Sequence, residues 1–553
     1  MSDEAEKQDS HADASHHQKD LMDLVNGNGP WQWCIFIVVL VCAMPDGSNN
    51  MSMAFIAPNV DHWCARPPET NFSVQEWKEA ALPPADTQCS RYRFINISKS
   101  SEGGSSGASK ETIACESWEY DDSIYSSTIV SQWNLVCDRE WLISMSKSIF
   151  VAGVFLSSTL FAYLTDKFGR KPLVLVCNIL AIISGISCIF STSFLMFAIA
   201  RFFVAAAVYA ADQAATVLMI EIVSPKCRAP YYCGTYLTWI AGALHLPLIA
   251  WWLRDWIWIE FVLILPSVVV LATWWLLPES PRWLLIQGKT EEALKILSEA
   301  AKRNGLEISD IKLKEMVTKL KQPNDTENTG INVLDLFKSE LRLRTFVLWF
   351  IWCATAFVYY GISYNTNELA GDPFLNFALS FAIEIPVTIL ALISIQYKGR
   401  RMSLAVSLPF AGVACLLVYP IPEGLVWMRT SVFLFGKFCI SGTFCILCLF
   451  TSEIFPTHLR NIGCGLASAV ARSAAFLAPF VRELGRASHP VIPQILFGIL
   501  SIIGGVLALL LPETTNCSVP DTVMEASQIS RKTIFKKHNE IQKNLSNGKG
   551  TDS

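Results

Sequence analysis

One charged side chain stands inside a long apolar stretch near the end of the chain. Residues 461–481 read NIGCGLASAVARSAAFLAPFV, and Arg472 is the only charge among them. About 20 helical residues cross the roughly 30 Å apolar core of a bilayer, so the guanidinium is predicted to lie near the midplane. An unpaired Arg there costs about 2.5 to 17 kcal/mol, depending on the reference state. We expect Arg472 to meet a negatively charged substrate group; the alternative is a structural ion pair inside a helix bundle.

Other polar and aromatic side chains in apolar stretches could complete a binding site. Asp212 lies among small residues in VAAAVYAADQAATVLM. It could neutralise Arg472 directly, or it could hold a substrate ammonium while Arg472 holds a carboxylate. We expect the second arrangement, because two fixed opposite charges suit a zwitterion. A quaternary ammonium cannot donate a normal hydrogen bond and is suited by ring faces. The other substrate-site candidates are Gln213, Trp239, Tyr359, Tyr360 and Phe444.

Three further ionisable residues are candidates for intramembrane charge pairing or ion coupling. Asp46 stands between a Pro and a Gly, where a kink or polar break is expected. It therefore either faces the bundle interior or marks a helix end. Glu384 lies in the middle of an apolar stretch and could pair with Lys437, either structurally or in proton or ion coupling. Sodium is a candidate coupling ion because carboxylates can ligate it, whereas no cofactor and no resident metal are expected.

Composition places these residues in a polytopic membrane protein. The chain has 553 residues, of which 52% are hydrophobic and 17% charged, against about 25% charged in soluble domains. The basic residues lie at the edges of apolar stretches, so nucleic-acid binding is not expected. The absence of nucleophile, metal-ligand or catalytic motifs in the sequence indicates that the chain is not an enzyme.

Twelve apolar stretches predict an all-α membrane protein with two six-helix halves. Basic residues in the short loops all fall on one side, which is therefore predicted to be cytosolic, together with both termini. A stretch at 290–304 has the pattern of an amphipathic helix, and 312–335 is expected to be loose. The predicted parts are a cytosolic tail (1–29), a first half (30–277), a cytosolic loop (278–343), a second half (344–511) and a cytosolic tail (512–553).

A polar segment, residues 62–140, separates the first two apolar stretches. It carries N-glycosylation sequons at Asn71 and Asn96. Four cysteines in one loop indicate two disulfides formed in an oxidising compartment, and three pairings are possible. Sequons and clustered cysteines together predict a large extracellular loop. The four cysteines are Cys64, Cys89, Cys115 and Cys137.

Charged landmarks repeat between the two halves. The run DKFGR at 166–170 recurs as QYKGR at 396–400, an offset of 230 residues. Glu221 and Arg228, with a Pro between them, recur as Glu453 and Arg460 at an offset of 232 residues. The run LPE at 277–279 recurs at 511–513, an offset of 234 residues. Such a parallel repeat predicts a cavity between the halves at the midplane. We interpret the repeated residues as a cytosolic gate rather than a static surface network; they are Asp166, Gly169, Arg170, Glu221, Arg228, Glu453 and Arg460.

These motifs resemble the major facilitator superfamily and, within it, the organic ion transporter family. The match covers nearly the whole chain and includes SQWNLVCDREW, TDKFGRK, LPESPRWLL and TSEIFPTHLRNIG. Runs such as RDW at 254–256 and GKF at 436–438 resemble the organic cation/carnitine branch. In that branch, and in the organic anion branch, Arg stands at the position of Arg472. Glu384 is typical of the cation and carnitine branches, so the resemblance implies a substrate that bears both charges.

The chain departs from that family pattern at four positions. Ala162 replaces the leading Gly of the loop motif, and Asp46 and Asp212 stand where the carnitine branch has Asn. Trp239 stands where that branch has Tyr. The resemblance places three of these positions, Asp46, Asp212 and Trp239, in the family's cavity, so they bear on the exact substrate.

The sequence and the resemblance together predict a monomeric, multi-pass carrier of the plasma membrane that works by alternating access. Its expected substrate is carnitine or a similar zwitterionic or organic ion, and the resemblance implies sodium coupling. One alternative is an organic anion carrier that uses Arg472, with Asp212 as the resting counter-charge. An alternative of another class is a receptor or sensor that kept the fold and lost transport.

Overall fold

Twelve apolar helices make up most of the described chain. The computed structural model describes residues 21–67, 72–84, 86–93, 111–320, 336–366, 371–422 and 424–515, and the predicted glycosylation sites Asn71 and Asn96 lie outside them. In these residues, ten helices are long and apolar enough to cross a membrane, and two shorter apolar helices accompany them. Together they match the twelve spans that the sequence predicts.

The helices fall into two sets of six along the chain. The first set is α1 (Pro30–Met51), α2 (Trp141–Phe168), α3 (Arg170–Ile189), α4 (Phe194–Ile222), α5 (Arg228–Leu253) and α6 (Trp256–Ala272). The second set is α7 (Ser339–Tyr364), α8 (Pro373–Ala382, continued as Glu384–Lys398), α9 (Arg400–Val418), α10 (Val426–Ile454), α11 (Thr457–Leu477) and α12 (Ile492–Ala508). A short helix, Phe480–Ala487, follows α11.

Pro45 lies inside α1 and does not end it, so the alternative that Asp46 marks a helix end is wrong, and Asp46 faces the bundle interior. The helix continues to Met51, and its last turn is followed at Ser52 by a short helix, Met53–Ile56. The Asn49 side chain donates to the Pro45 carbonyl at 3.0 Å, which satisfies a backbone acceptor near the site where proline disturbs the helical hydrogen bonds.

Two glycines allow α1 and α5 to pack closely. A Cβ atom on Gly47 would lie 2.2 Å from the carbonyl oxygen of Trp239, and one on Gly242 would lie 2.4 Å from the carbonyl oxygen of Met44. Any larger residue would push the two backbones apart, as is typical of small residues at membrane helix contacts. The close approach places Asp46 of α1 beside the Trp239 region of α5.

The segment between α1 and α2 is a small folded unit. Strand β1 (His62–Cys64) pairs antiparallel with β4 (Trp118–Tyr120), and β2 (Ser90–Tyr92) pairs antiparallel with β3 (Thr112–Ala114). Disulfides join Cys64 to Cys115 and Cys89 to Cys137, so the structure selects one of the three pairings left open by the sequence. The first bond starts from strand β1 and the second from the residue before β2, and the bonds span 51 and 48 residues of the segment.

Polar contacts also hold this segment together. Glu119 accepts hydrogen bonds from Arg66 Nε at 3.0 Å and from Trp63 Nε1 at 3.1 Å. Partial burial alone would raise the pKa of Glu119, but the hydrogen bonds from Arg66 and Trp63 outweigh it and lower the pKa below its ordinary value. The carboxylate therefore stays ionised and keeps both partners at neutral pH.

Three helices occupy the segment between the two sets: Pro281–Ile286, Thr290–Arg303 and Asp310–Leu320. The third helix contradicts the expectation that residues from 312 onward are loose, although residues 321–335 lie outside the described part. Leu313 and Val317 on this helix are buried in the hydrophobic cluster that includes the start of α1 and the end of α4. Burial of this apolar face provides the stability that the charged sequence did not indicate.

A fully buried ion pair inside the first set of helices escaped the sequence analysis. Arg201 of α4 and Glu260 of α6 are each 1% exposed in their side chains, with 3.1 Å between Nη1 and Oε1. Arg201 Nη2 also donates to the carbonyl oxygen of Asn49 at 2.8 Å and to Ser52 Oγ at 2.9 Å. The pair therefore joins α4 and α6 to the last turn of α1.

We predict that Glu260→Gln destabilises the protein by about 3–5 kcal/mol, because it leaves the Arg201 charge buried without its acid. Thermal unfolding of the purified chain measures this loss. The control is Arg303→Gln, which breaks an exposed pair whose side chains are 51% and 52% accessible and should change stability by less than about 1 kcal/mol. Equal unfolding midpoints for the two variants would contradict the assignment.

Candidate functional site

A central cavity of about 130 Å³ lies where helices of both sets meet. It is bounded by residues from α1, α2, α4, α5, α7, α10 and α11. One basic and one acidic side chain face it among the described lining residues, Arg472 and Asp46, and the rest of its polar and aromatic wall is Asn50, Tyr209, Trp239, Trp352, Tyr360, Phe444 and Ser468.

Arg472 is held by two hydroxyl groups. Its Nη1 donates to Ser468 Oγ, one turn earlier on α11, at 2.7 Å, and its Nη2 donates to the hydroxyl of Tyr209. The guanidinium carbon lies 4.8 Å from the centre of the Tyr209 ring. Tyr209 therefore supplies both a hydrogen bond and a ring face across the gap between the two halves. The sequence analysis missed Tyr209, although it lies three residues before Asp212.

Asp46, rather than Asp212, is the acid that shares the cavity with Arg472. Asp46 is 8% exposed, and the guanidinium acts on it electrostatically. Asp212 accepts a hydrogen bond from Gln213 Nε2 at 3.2 Å, and it is not among the described residues that line the central cavity. The described contacts contain no salt bridge between Asp212 and Arg472, so the direct pairing considered above is not formed; Tyr209 occupies that side of the guanidinium.

The aromatic candidates divide into two layers. Trp239, Tyr360 and Phe444 line the central cavity, together with Trp352, which the sequence analysis did not select. Tyr359 stands behind them, with its ring centre 5.4 Å from that of Phe444 and 5.4 Å from that of Tyr360. Only the first layer offers ring faces to a molecule in the cavity.

The second layer contains a buried charge pair. Lys437 Nζ lies 2.9 Å from Glu384 Oε1, and both side chains are fully buried. The same oxygen accepts hydrogen bonds from Tyr359 Oη at 3.0 Å and from Ser441 Oγ at 3.2 Å. Lys437 Nζ lies 3.6 Å from the centre of the Tyr359 ring. Since Tyr359 packs against Phe444, this pair supports the cavity wall without lining it.

A second cavity, of about 530 Å³, reaches Arg472 from one end of the bundle. Its wall comes from α2, α4 and α11 and includes Asp166 and Gln213. It shares Tyr209, Ser468 and Arg472 with the central cavity. These three side chains therefore separate the two cavities, and the larger one extends to the exposed carboxylate of Asp166.

The repeated charged motif of the first half forms one cluster at this end. Arg170 Nη2 lies 3.0 Å from Asp166 Oδ1 and 2.8 Å from Glu221 Oε1. The backbone N–H of Arg170 donates to Glu279 Oε1 at 3.0 Å, which places a carboxylate at the start of α3, where helix N–H groups favour negative charge. Gly169 precedes it with a φ of +101°, a conformation that favours glycine.

The second half repeats this cluster with nearly the same distances. Arg400 Nη2 lies 2.9 Å from Glu453 Oε1, and the Arg400 N–H donates to Glu513 Oε1 at 2.9 Å. The corresponding arginine of the first half, Arg228, donates from Nε to the carbonyl oxygen of Ile220 at 3.2 Å. For Arg460, Nε and Nη2 are buried with no hydrogen-bond partner in the described part of the chain. In the described residues, the ion pairs of each cluster therefore stay within its own half.

At the opposite end, which carries the disulfide-bonded segment, the two halves touch directly. Glu140, just before α2, pairs with Arg482 at 3.3 Å and with Arg486. Ser144 Oγ donates to Glu483 Oε1 at 2.8 Å. The bundle is thus joined across its halves at this end, while the larger cavity lies towards the other end.

Comparison with known proteins agrees with this arrangement. Residues 88–521 match the family described as Sugar (and other) transporter. The organic cation/carnitine transporter 2 of Homo sapiens is 33% identical, covering 90% of this chain and 91% of that protein. The beta-alanine transporter of Drosophila melanogaster is 32% identical, covering 89% and 86%.

The fold is also similar to that of a solved structure. The xylose transporter XylE from E. coli, in an inward-open conformation, covers 90% of this chain and all of its own length, with 15% identity and a TM-score of 0.60. The family and its relatives are transporters and not enzymes. This multi-pass chain therefore belongs to the organic ion transporter family of the major facilitator superfamily, among the relatives named for organic cations and carnitine.

Proposed function

We propose that the protein carries carnitine or a similar zwitterion across the plasma membrane by alternating access. The observation that carries this proposal is that Arg472 and Asp46 line one cavity together with aromatic rings. A substrate carboxylate suits the guanidinium, which offers a planar fork of donors. A substrate ammonium suits Asp46 and the ring faces of Trp239 and Tyr360.

The names of two relatives agree with a substrate of this class. One relative is named for carnitine and another for beta-alanine. Both compounds carry a carboxylate and a positively charged nitrogen, although the distance between the two groups differs. We infer that the shared requirement in this chain is the carboxylate at Arg472, and that the surrounding rings select the cationic end.

In this proposal the larger cavity faces the cytosol, and the disulfide-bonded loop, with its sequons, lies outside. Both termini are then cytosolic, and the carrier works as a monomer. The clusters around Arg170 and Arg400 keep each half rigid at the cytosolic gate while the halves move relative to each other. Sodium is the proposed coupling ion, with the carboxylate of Asp46 as its candidate ligand near the substrate.

Substitution of Arg472 tests the proposal. We expect Arg472→Ala to weaken the apparent affinity for labelled carnitine at least about tenfold, because a charge-assisted pair with the carboxylate is lost. The apparent affinity of Arg472→Lys should lie between those of the original protein and Arg472→Ala, since lysine keeps the charge but cannot make two parallel hydrogen bonds. Uptake into proteoliposomes, with and without an inward sodium gradient, is the measurement.

The control for this experiment is Arg303→Ala, an exposed site far from the cavity, which should transport like the original protein. Unchanged affinity in Arg472→Ala would contradict the site. Absence of uptake of any organic ion by the folded original protein would instead favour the receptor or sensor alternative.

We predict that Tyr209→Phe lowers the KM for the substrate about three- to tenfold. The Tyr209 hydroxyl occupies Arg472 Nη2 in the empty cavity, so it competes with an incoming carboxylate for the same donor. Initial uptake rates measure KM, and Tyr163→Phe, on an exposed part of α2, is the matched control. A higher KM in Tyr209→Phe would show that the hydroxyl orients the guanidinium instead.

Competition separates the zwitterion carrier from the organic anion carrier. We expect betaine to inhibit uptake and a dicarboxylate such as succinate to inhibit poorly, because Asp46 repels a second carboxylate in the cavity. Asp46→Asn should then make the dicarboxylate a better inhibitor and betaine a worse one. Strong inhibition by dicarboxylates in the original protein would favour the anion carrier, with Arg472 as its binding residue.

A further inference from the structure

A third cavity, of about 440 Å³, lies inside the second half at the end that carries the disulfide-bonded segment. It is enclosed by the ends of α7 and α9, the starts of α10 and α12, and the short helix Phe480–Ala487. It shares no described lining residue with the central cavity or with the larger cavity. It is therefore separate from the proposed substrate path.

The charges around this cavity are all of one sign. Arg429, Arg482, Arg486 and His489 line it, and the described lining residues include no Asp or Glu. Arg429 is half-buried at the start of α10, and no hydrogen bond or salt bridge of its guanidinium is found in the described residues. A cavity wall with this excess of positive charge favours an anionic ligand.

The other two arginines of the wall meet one carboxylate from the first half. Arg482 and Arg486 both pair with the same oxygen, Oε1 of Glu140, which reaches them from the first half. Glu140 thus reaches two of the three guanidinium groups, and Arg429 has no salt bridge in the described residues. Since guanidinium groups bind phosphate through two parallel hydrogen bonds, Arg429 can offer such a pair to an anionic oxygen in the cavity.

Two more side chains complete the wall. The Val491 N–H donates to His489 Nδ1 at 3.3 Å, so a neutral ring carries its proton on Nε2 and offers one donor. Gln494 Oε1 is buried and has no hydrogen-bond partner in the described residues. An acceptor in this position requires a ligand hydroxyl or a water molecule.

We propose that this cavity binds an anionic phosphate group that also carries a hydroxyl. The group comes either from a soluble phosphate or from the headgroup of a lipid such as phosphatidylglycerol. Because the ligand draws on Arg482 and Arg486, it competes with Glu140 for them. Binding therefore weakens the contact that joins the two halves at this end, and the ligand acts as a regulator of opening.

The test measures binding and does not depend on the proposed transport. The full-length protein is placed in phosphatidylcholine nanodiscs, and its thermal unfolding midpoint is followed by tryptophan fluorescence while inorganic phosphate replaces chloride at constant ionic strength. In a second arm, phosphatidylglycerol replaces part of the phosphatidylcholine. A saturable rise of the midpoint in the first arm identifies a soluble phosphate, and a rise confined to the second arm identifies a lipid headgroup.

Two charge-neutralising variants locate the effect. Arg429→Gln should weaken the binding of the effective probe about tenfold. Arg254→Gln, which removes the same charge from the corresponding end of the first half, should bind like the original protein. Without phosphate or phosphatidylglycerol both variants should unfold like the original protein, because neither guanidinium has a salt bridge in the described residues.

A third variant tests the competition with Glu140. Glu140→Gln removes the acid that Arg482 and Arg486 share, so the probe should bind several-fold more tightly. The proposal is overturned if neither probe raises the midpoint, or if the rise is the same in Arg429→Gln as in the original protein. Weaker binding in Glu140→Gln would overturn the competition between the ligand and this acid.

Discussion

The structure depends on keeping a guanidinium group solvated inside an apolar helix bundle. Arg472 lies in the middle of α11, far from both ends of the helix, so the protein must supply polar atoms around it. Ser468 comes from the same helix, but Tyr209 comes from α4 and Asp46 from α1. Arg472 therefore requires helices of both halves to converge at one point. That convergence leaves polar side chains around an internal space, which is the central cavity.

Two pairs of opposite charges elsewhere in the bundle are closed to solvent. Within the described residues, Arg201–Glu260 is a fully buried pair of the first half and Lys437–Glu384 is one of the second. Both pairs have additional hydrogen-bond partners and are closed to solvent, so they hold helices together within a half. Arg472 instead borders two cavities. These two charge pairs are closed to solvent, whereas the Arg472 charge between the halves is accessible from the cavities. The proposed carrier requires this difference.

In the proposed mechanism, the repeated motifs let each half move as a unit. Arg170 and Arg400 make matching contacts with Glu221 and Glu453, and their backbone N–H groups meet matching carboxylates. Each cluster ties the end of one helix to the start of the next within its own half. In the described residues, the salt bridges that cross between the halves lie at the other end, around Glu140. Because the halves are joined around Glu140, the larger cavity lies at the opposite end of the bundle.

The sequence by itself determined the twelve helices, the two-part repeat and the isolated position of the Arg472 charge, because apolar length, periodic landmarks and a single charge are properties of the chain in one dimension. Only the tertiary structure decided which residues meet. It selected Asp46 over Asp212, added Tyr209 and Trp352, and chose one disulfide pairing of three. These choices depend on helix rotation and on the close approach at Gly47, which no local pattern encodes. Contacts between residues distant in the chain follow from packing alone.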